Sequence, residues 1–229
     1  MAMPQQPHGP LRSFGRLKAR PIKPRQAALI ETLLPTVRLD LSAPLDLRAL
    51  SADATETWLE IGFGGGEHLA GQAARHPEHL LLGAEPFLNG AASALRHIED
   101  DALTNVRLHV GDARELIAVL PDAGLSRIFI LFPDPWPKTR HHKRRLIQPD
   151  LVGELARVLA PGGRLRFATD WADYANSALQ RLRAEPRLRW TARRADDWRT
   201  APADHVPTRY QAKRLGDIAP VYLDFVRTG

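Results

Sequence analysis

Apolar residues along this chain come in short continuous runs, separated by longer stretches with helical spacing. The runs are TWLEIGFG (57–64), HLLLGAEP (79–86), VRLHVGDA (106–113), SRIFILFPD (126–134) and GGRLRFATD (162–170). Between them, helical patterns cover 66–75, 88–99, 113–120 and 148–160. Strands alternating with helices of this length predict βαβ units, hence a parallel sheet with helices on both faces. An uninterrupted run such as RIFILF fits a central strand covered on both sides. Upstream, RQAALIETLLP after Pro24 has helical spacing and stops at Pro35.

The rhythm changes toward the C-terminus. YANSALQRLRAE (174–185) predicts a helix, after which LRWTAR (188–193) and VYLDFVR (221–227) predict two strands with no helix between them. That is the pattern of an antiparallel hairpin closing a parallel sheet. The insertion it encloses, Ala195 to Pro220, is long for a compact domain, and such insertions are more often functional than idle.

At 229 residues, 44% hydrophobic and 25% charged, the chain has the composition of one ordinary globular domain. No apolar run approaches the ~18 residues of a membrane span, and no secretory leader pattern opens the chain, so a cytoplasmic protein is expected. The absence of cysteine excludes disulfides, thiolate metal sites and thiol catalysis. The net charge of +6 is unevenly placed. Residues 1–25 hold Arg12, Arg16, Lys18, Arg20, Lys23 and Arg25 with no acid, and 138–145 hold Lys138, Arg140, Lys143, Arg144 and Arg145. Without those two segments the rest is mildly acidic. Such an arrangement suits a phosphate backbone, although either segment alone also fits a solvated tail or loop. The first is proline-rich and lacks apolar periodicity, so 1–24 reads as a flexible basic arm and 25–229 as a single domain. Nothing in the composition fixes the oligomeric state.

Candidate chemistry begins at LEIGFGGGEHL, which follows one predicted strand and opens a helix, as nucleotide and adenosyl cofactor loops do. Gly62 and Gly64 belong to a G-x-G-G-G pattern, not G-x-G-x-x-G. Three acids sit at strand ends: Glu60 just before the loop, Glu85 placed to accept from a ribose diol, and Asp112 placed to meet an adenine edge. In a doubly wound sheet these ends converge on one crevice. A pyrophosphate would sit poorly among so many acids, whereas the sulfonium and ammonium of S-adenosylmethionine would sit well.

The stretch FPDPWPKTRHHKRR is the most specific. Pro133 and Pro135 hold Asp134 on a stiff turn at the end of the fourth predicted strand. Trp136 offers either an aromatic face for an extruded base or simple packing. The cations Arg140, Lys143, Arg144 and Arg145 read as contacts for an RNA backbone. With SFGRLKARPIKPRQ, GAEPF, GDARE, RFATDWADYA and TRYQAKRLG, these motifs make the chain resemble the tRNA (guanine-N7-)-methyltransferases from about Phe14 to the C-terminus.

The resemblance implies a Rossmann-like class I α/β fold, with a mostly parallel doubly wound sheet and a C-terminal antiparallel hairpin. It implies S-adenosylmethionine as cofactor, tRNA as substrate, and methylation of guanine N7 in the variable loop. It makes Asp134 both the catalytic candidate and a cofactor neighbour, and gives Lys138, Asp170, Thr208, Arg209, Tyr210 and Gln211 substrate roles. The last four stand where the family usually has Thr-Lys-Phe-Glu, so Gln211 replaces a carboxylate. Guanine N7 carries a lone pair and no hydrogen, so orientation and electrostatics are needed and a strong base is not. The histidines, including His141 and His142, show no metal-ligand spacing with a third partner, and no metal is expected. Two other readings stand beside this one: a methyltransferase acting on a small molecule, and an RNA-binding protein without catalysis.

Overall fold

The computed structural model describes residues 21–213 and 215–229, so most of the expected basic arm lies outside the described residues. The helix expected before Pro35 divides into α1 (Pro24–Thr32) and α2 (Leu34–Val37). Proline is tolerated in a first helical turn and not in an interior, and Pro35 lies in the first turn of α2. After α3 (Leu47–Leu50) the alternation runs β1 (Glu56–Ile61), α4 (Glu67–Arg75), β2 (His79–Ala84), α5 (Leu88–Asp100), β3 (Val106–His109), α6 (Ala113–Val119) and β4 (Leu125–Leu131). A 3-10 turn (Thr139–Arg144), α7 (Pro149–Val158), β5 (Leu159–Thr169), α8 (Ala172–Ala184) and β6 (Leu188–Trp190) follow. The insertion before β7 (Val221–Arg227) is not helix-free as expected, because α9 (Asp196–Arg199) and α10 (Arg209–Ala212) each form one turn there.

These strands form one seven-stranded sheet in the order β3-β2-β1-β4-β5-β7-β6. β1 to β5 pair in parallel, while β7 runs antiparallel between β5 and β6. The hairpin expected at the C-terminus is therefore present, with its second strand on the inside. Alternation along each strand decides which core a side chain joins. Leu80, Leu82, Ile128 and Ile130 enter the cluster beneath α6, α7 and α8, whereas Leu81, Phe129 and Leu131 enter the one beneath α1, α4 and α5. Each such fully buried aliphatic side chain contributes about 1.5–3 kcal/mol. Two-sided burial is why these strands carry continuous apolar runs. Among the described residues no helix is long and apolar enough to cross a membrane.

Candidate active site

Strand order reverses at β1, whose neighbours are β2 on one side and β4 on the other, and a crevice opens beyond their C-terminal ends. The glycine loop fills the step from β1 to α4. Gly62, Gly64 and Gly66 have φ of 72°, 54° and 82°, and Gly66 is the residue from which α4 starts. A Cβ on Gly66 would lie 2.5 Å from that of Ala94 on α5, so the loop can close onto α5 only without a side chain there. The Glu85 carboxylate braces the loop from β2, accepting from the Gly64 N–H at 2.9 Å and the Phe87 N–H at 3.0 Å.

Glu85 is buried, and burial raises its pKa above the usual carboxylate range despite those two amides; Asp134 and Glu60 raise it further. Acids from the ends of β1 and β2 and from the turn after β4 therefore feel one another across the crevice. A cationic ligand would relieve that crowding. Glu60 itself is not a bare charge, since the buried His68 imidazole meets its Oε2 at 2.8 Å. β3 stops at His109 and not at the expected residue 113, and Asp112 starts the next helix: its Oδ1 accepts from the Arg114 N–H at 2.9 Å and caps α6. Its other oxygen holds Arg114 Nη2 at 2.6 Å. Partial burial pushes the Asp112 carboxyl up, but Arg114 and the backbone amide outweigh this and hold it below its ordinary value.

The Pro-Asp-Pro turn is stiffer than its prolines alone require. Phe132 (φ 52°) and Trp136 (φ 44°), each immediately before a proline, lie in the left-handed region that bulky residues avoid. Such residues cost about 1–3 kcal/mol each and persist only where neighbours impose them. Here Phe132 donates its N–H to the Ala168 carbonyl at 2.8 Å, and the Arg144 guanidinium lies 5.0 Å from the Trp136 ring centre. Trp136 is thus a packed side chain on at least one face. Asp134 is exposed between them, and Lys138, Arg140 and Lys143 are exposed just beyond.

Arg145 does not belong with them. Its side chain is 2% exposed and donates to the Pro135 carbonyl (2.8 Å), Ser177 Oγ (3.0 Å) and Asp173 (2.5 Å), so it is a strut between the turn and α8 and not a phosphate ligand. His141, within the same run, has its pKa lowered by desolvation and then by Arg144, Arg140, Lys138 and Lys143.

The insertion folds back over this crevice. Asp170 ends β5 buried, with Oδ2 accepting from the Gly216 N–H at 2.9 Å and Oδ1 left without a hydrogen-bond partner. Thr208 caps α10. Arg209 reaches Glu67 at the start of α4 with Nε to Oε1 at 2.6 Å, and the Tyr210 ring lies 6.3 Å from Phe132. Gln211 Oε1 meets His205 Nε2 at 2.6 Å, and its Nε2 donates to the Tyr222 hydroxyl at 2.9 Å. The segment 208–211 is therefore seated against the glycine loop, the turn after β4 and β7, rather than hanging as a polar loop.

Several residues in this arrangement escaped the sequence reading. Asp204 is clamped by Arg127 on β4 and by Arg166 on β5, the latter at 2.7 Å, while Arg166 also holds Asp224 at 2.8 Å. The readable signal was an arginine inside each of two apolar strands, which needs a buried partner. The histidines also group in a way their spacing did not suggest. His76, Glu78 and His79 bring ligand-type atoms within 4.8 Å of one another, at the opposite end of β2 from the crevice. The two imidazoles stack there at 5.1 Å, and Trp58 packs on both.

Comparison with known proteins bears on the family and the fold. A family model described as "Putative methyltransferase" matches residues 54–221. In fold, the chain superposes on the 16S rRNA (adenine(1408)-N(1))-methyltransferase from Catenulisporales acidiphilia with a TM-score of 0.55 at 19% identity, covering 83% of this chain and 94% of that one. An antibiotic-resistance methyltransferase, Kmr, gives the same TM-score at 16% identity, covering 80% and 92%. Sequence likeness is much stronger elsewhere. A tRNA (guanine-N(7)-)-methyltransferase of Caulobacter sp. (strain K31) is 61% identical over 228 residues, 99% of this chain and 100% of the relative. One from Rhodospirillum rubrum is 46% identical over 232 residues, 98% of this chain and 91% of the relative. Likeness of that depth runs through both the sheet and the insertion that covers its crevice, and the chain belongs to the tRNA (guanine-N(7)-)-methyltransferase family.

Proposed function

We propose that the protein methylates N7 of a guanine in the variable loop of tRNA, in the cytoplasm, with S-adenosylmethionine as methyl donor. The observation that carries this is the crowding of Glu60, Glu85 and Asp134 around a glycine loop, directly beside an exposed cationic turn. S-adenosylmethionine supplies a methyl group on a cationic sulfur, and the acids of the crevice fit its charge. Glu85, with the amides of Gly64 and Phe87, holds the loop against the site; Glu60 and Asp112 line the same crevice. Asp134 stands at its exposed rim, where a carboxylate can accept from the Watson–Crick edge of guanine and offset the positive charge that N7 gains. Lys138, Arg140 and Lys143 present charge to the RNA backbone, with Arg144 held on Trp136 beside them. Asp170 and the segment Thr208–Gln211 close the base-binding side, with Arg209 on Glu67. In solution, the wild-type protein with labelled cofactor and bulk tRNA should yield 7-methylguanosine on nucleoside analysis. Asp134→Asn should lower kcat by about 10²–10³ while cofactor affinity stays within about threefold. Turnover without RNA would return the small-molecule reading, and unaltered kcat would remove Asp134 from the chemistry.

A further inference from the structure

We propose that His68 and Gln72 of α4 are positioning residues that fix the Glu60 carboxylate and the insertion bearing Thr208–Gln211 as one unit; the inference rests on the function proposed above. The Gln72 amide nitrogen can only donate, so the His68 Nε2 it meets accepts and His68 Nδ1, 2.8 Å from Glu60 Oε2, carries the ring proton. Gln72 Nε2 donates to His68 Nε2 at 3.1 Å. The second N–H of the same amide donates to the Asp204 carbonyl at 2.8 Å. Turning the amide over would set its oxygen against that carbonyl, so the direction of every bond in the chain is determined.

All three side chains are almost wholly out of solvent: Glu60 at 3%, His68 at 0% and Gln72 at 1% exposure. Gln72 Oε1 is left buried without a hydrogen-bond partner. An apolar residue would fill that place with no such loss, so the amide is there for its two donors. At the far end, Asp204 is fixed through its carboxylate by Arg127 and Arg166 and through its carbonyl by Arg75 at 3.1 Å. His205, the next residue, grips Gln211. Contact between α4 and the insertion is close along this line, since a Cβ on Gly71 would lie 3.0 Å from Val206. Glu60 on the cofactor side is thus joined to Asp204 of the insertion by three directed bonds, and His205 carries the link on to Gln211.

The test uses the full chain, S-adenosylhomocysteine as the cofactor probe and tRNA lacking 7-methylguanosine. Its Kd is measured with and without saturating tRNA. In the wild type, tRNA is expected to tighten the probe by about tenfold, a typical coupling between sites. Gln72→Leu should leave the probe's affinity alone within about threefold, abolish the tightening and raise the KM for tRNA by about tenfold. His68→Asn keeps a donor at the Nδ1 position and should preserve probe affinity; His68→Leu should weaken it about tenfold. Should His68→Leu fail to fold, Gln72→Leu and His68→Asn decide between them. A folded Gln72→Leu protein with wild-type coupling, or a wild type that binds the probe without coupling, overturns the inference and leaves methylation standing. Failure of the wild type to bind the probe overturns the function itself.

Discussion

Two segments of this protein face the proposed RNA site, and they are held by opposite means. The insertion is anchored on largely buried partners: Asp204 meets arginines that are 17% and 6% exposed, and Gln211 is gripped from both ends. The basic turn after β4 presents Lys138, Arg140 and Lys143 to solvent and is tied down by Arg145 beneath it. Formal charge is a poor guide to either. One run of cations contains both solvent-facing charges and a sealed structural arginine, while the arginines that organise the insertion sit inside the sheet. Burial and partners separate the roles.

The contrast breaks most severely at Asp204. Asp204→Ala leaves two largely buried guanidinium groups short of a partner; it should cost about 3 kcal/mol and lower Tm by about 6–10 °C in a thermal melt. A melt unchanged from wild type would put the insertion on the same footing as the exposed turn. Next comes Arg145→Lys, which keeps the charge and loses the three-way fork. About 2 kcal/mol should be lost in a urea titration, with the salt dependence of tRNA affinity unaltered. A flatter salt slope would restore Arg145 to the phosphate contacts.

The triple change Lys138→Ala, Arg140→Ala and Lys143→Ala should do the reverse. Stability should stay within about 0.5 kcal/mol, while the logarithmic salt slope of tRNA binding falls by about 1 for each phosphate contact removed. The smallest effect lies in pH dependence, where the two carboxylates have opposite signs. Partial burial pushes Asp204 up, but Arg166 and Arg127 outweigh it and hold the group below its ordinary value. Its stabilisation is therefore complete above that ordinary value and is lost only as pH falls through the depressed one. The raised Glu85 takes up its proton earlier in the fold than in the unfolded chain, so it favours folding as pH drops from its raised value toward about 4.5. Denaturant stability of Glu85→Gln should lack that gain; an identical pH profile would deny that burial raises the Glu85 carboxyl.

The alternation of strands and helices was legible because it is local. Two-sided burial writes apolar runs, and the crossover helices between them write their own period. The acids at strand ends were legible too, because a parallel sheet sends those ends to one crevice. What escaped lies in contacts between distant positions. Nothing in APADHVP marks Asp204 as the partner of Arg127, 77 residues earlier, or of Arg166, 38 residues earlier. Arg145 looked like its neighbours because a run of cations carries no periodicity from which exposure could be read. β3 ends at His109, short of the expected 113, and Asp112 stands beyond it as the cap of α6, a role that a short acidic motif does not distinguish from ligand binding. At Gln211, where the resemblance has a glutamate, the amide bridges His205 and the Tyr222 hydroxyl.

The backbone on either side of Asp134 has one more implication. Phe132 and Trp136 adopt a handedness that neither would choose in isolation, and each does so under the added restriction of a following proline. The shape of the loop is imposed from outside, by β5, whose Ala168 carbonyl holds Phe132, and by α8, whose Ser177 and Asp173 hold Arg145 beneath Pro135. Cut free as a synthetic peptide, Leu131–Leu146 would relax and cease to present its aspartate. A decoy aimed at the RNA would therefore have to graft the surrounding framework along with the loop.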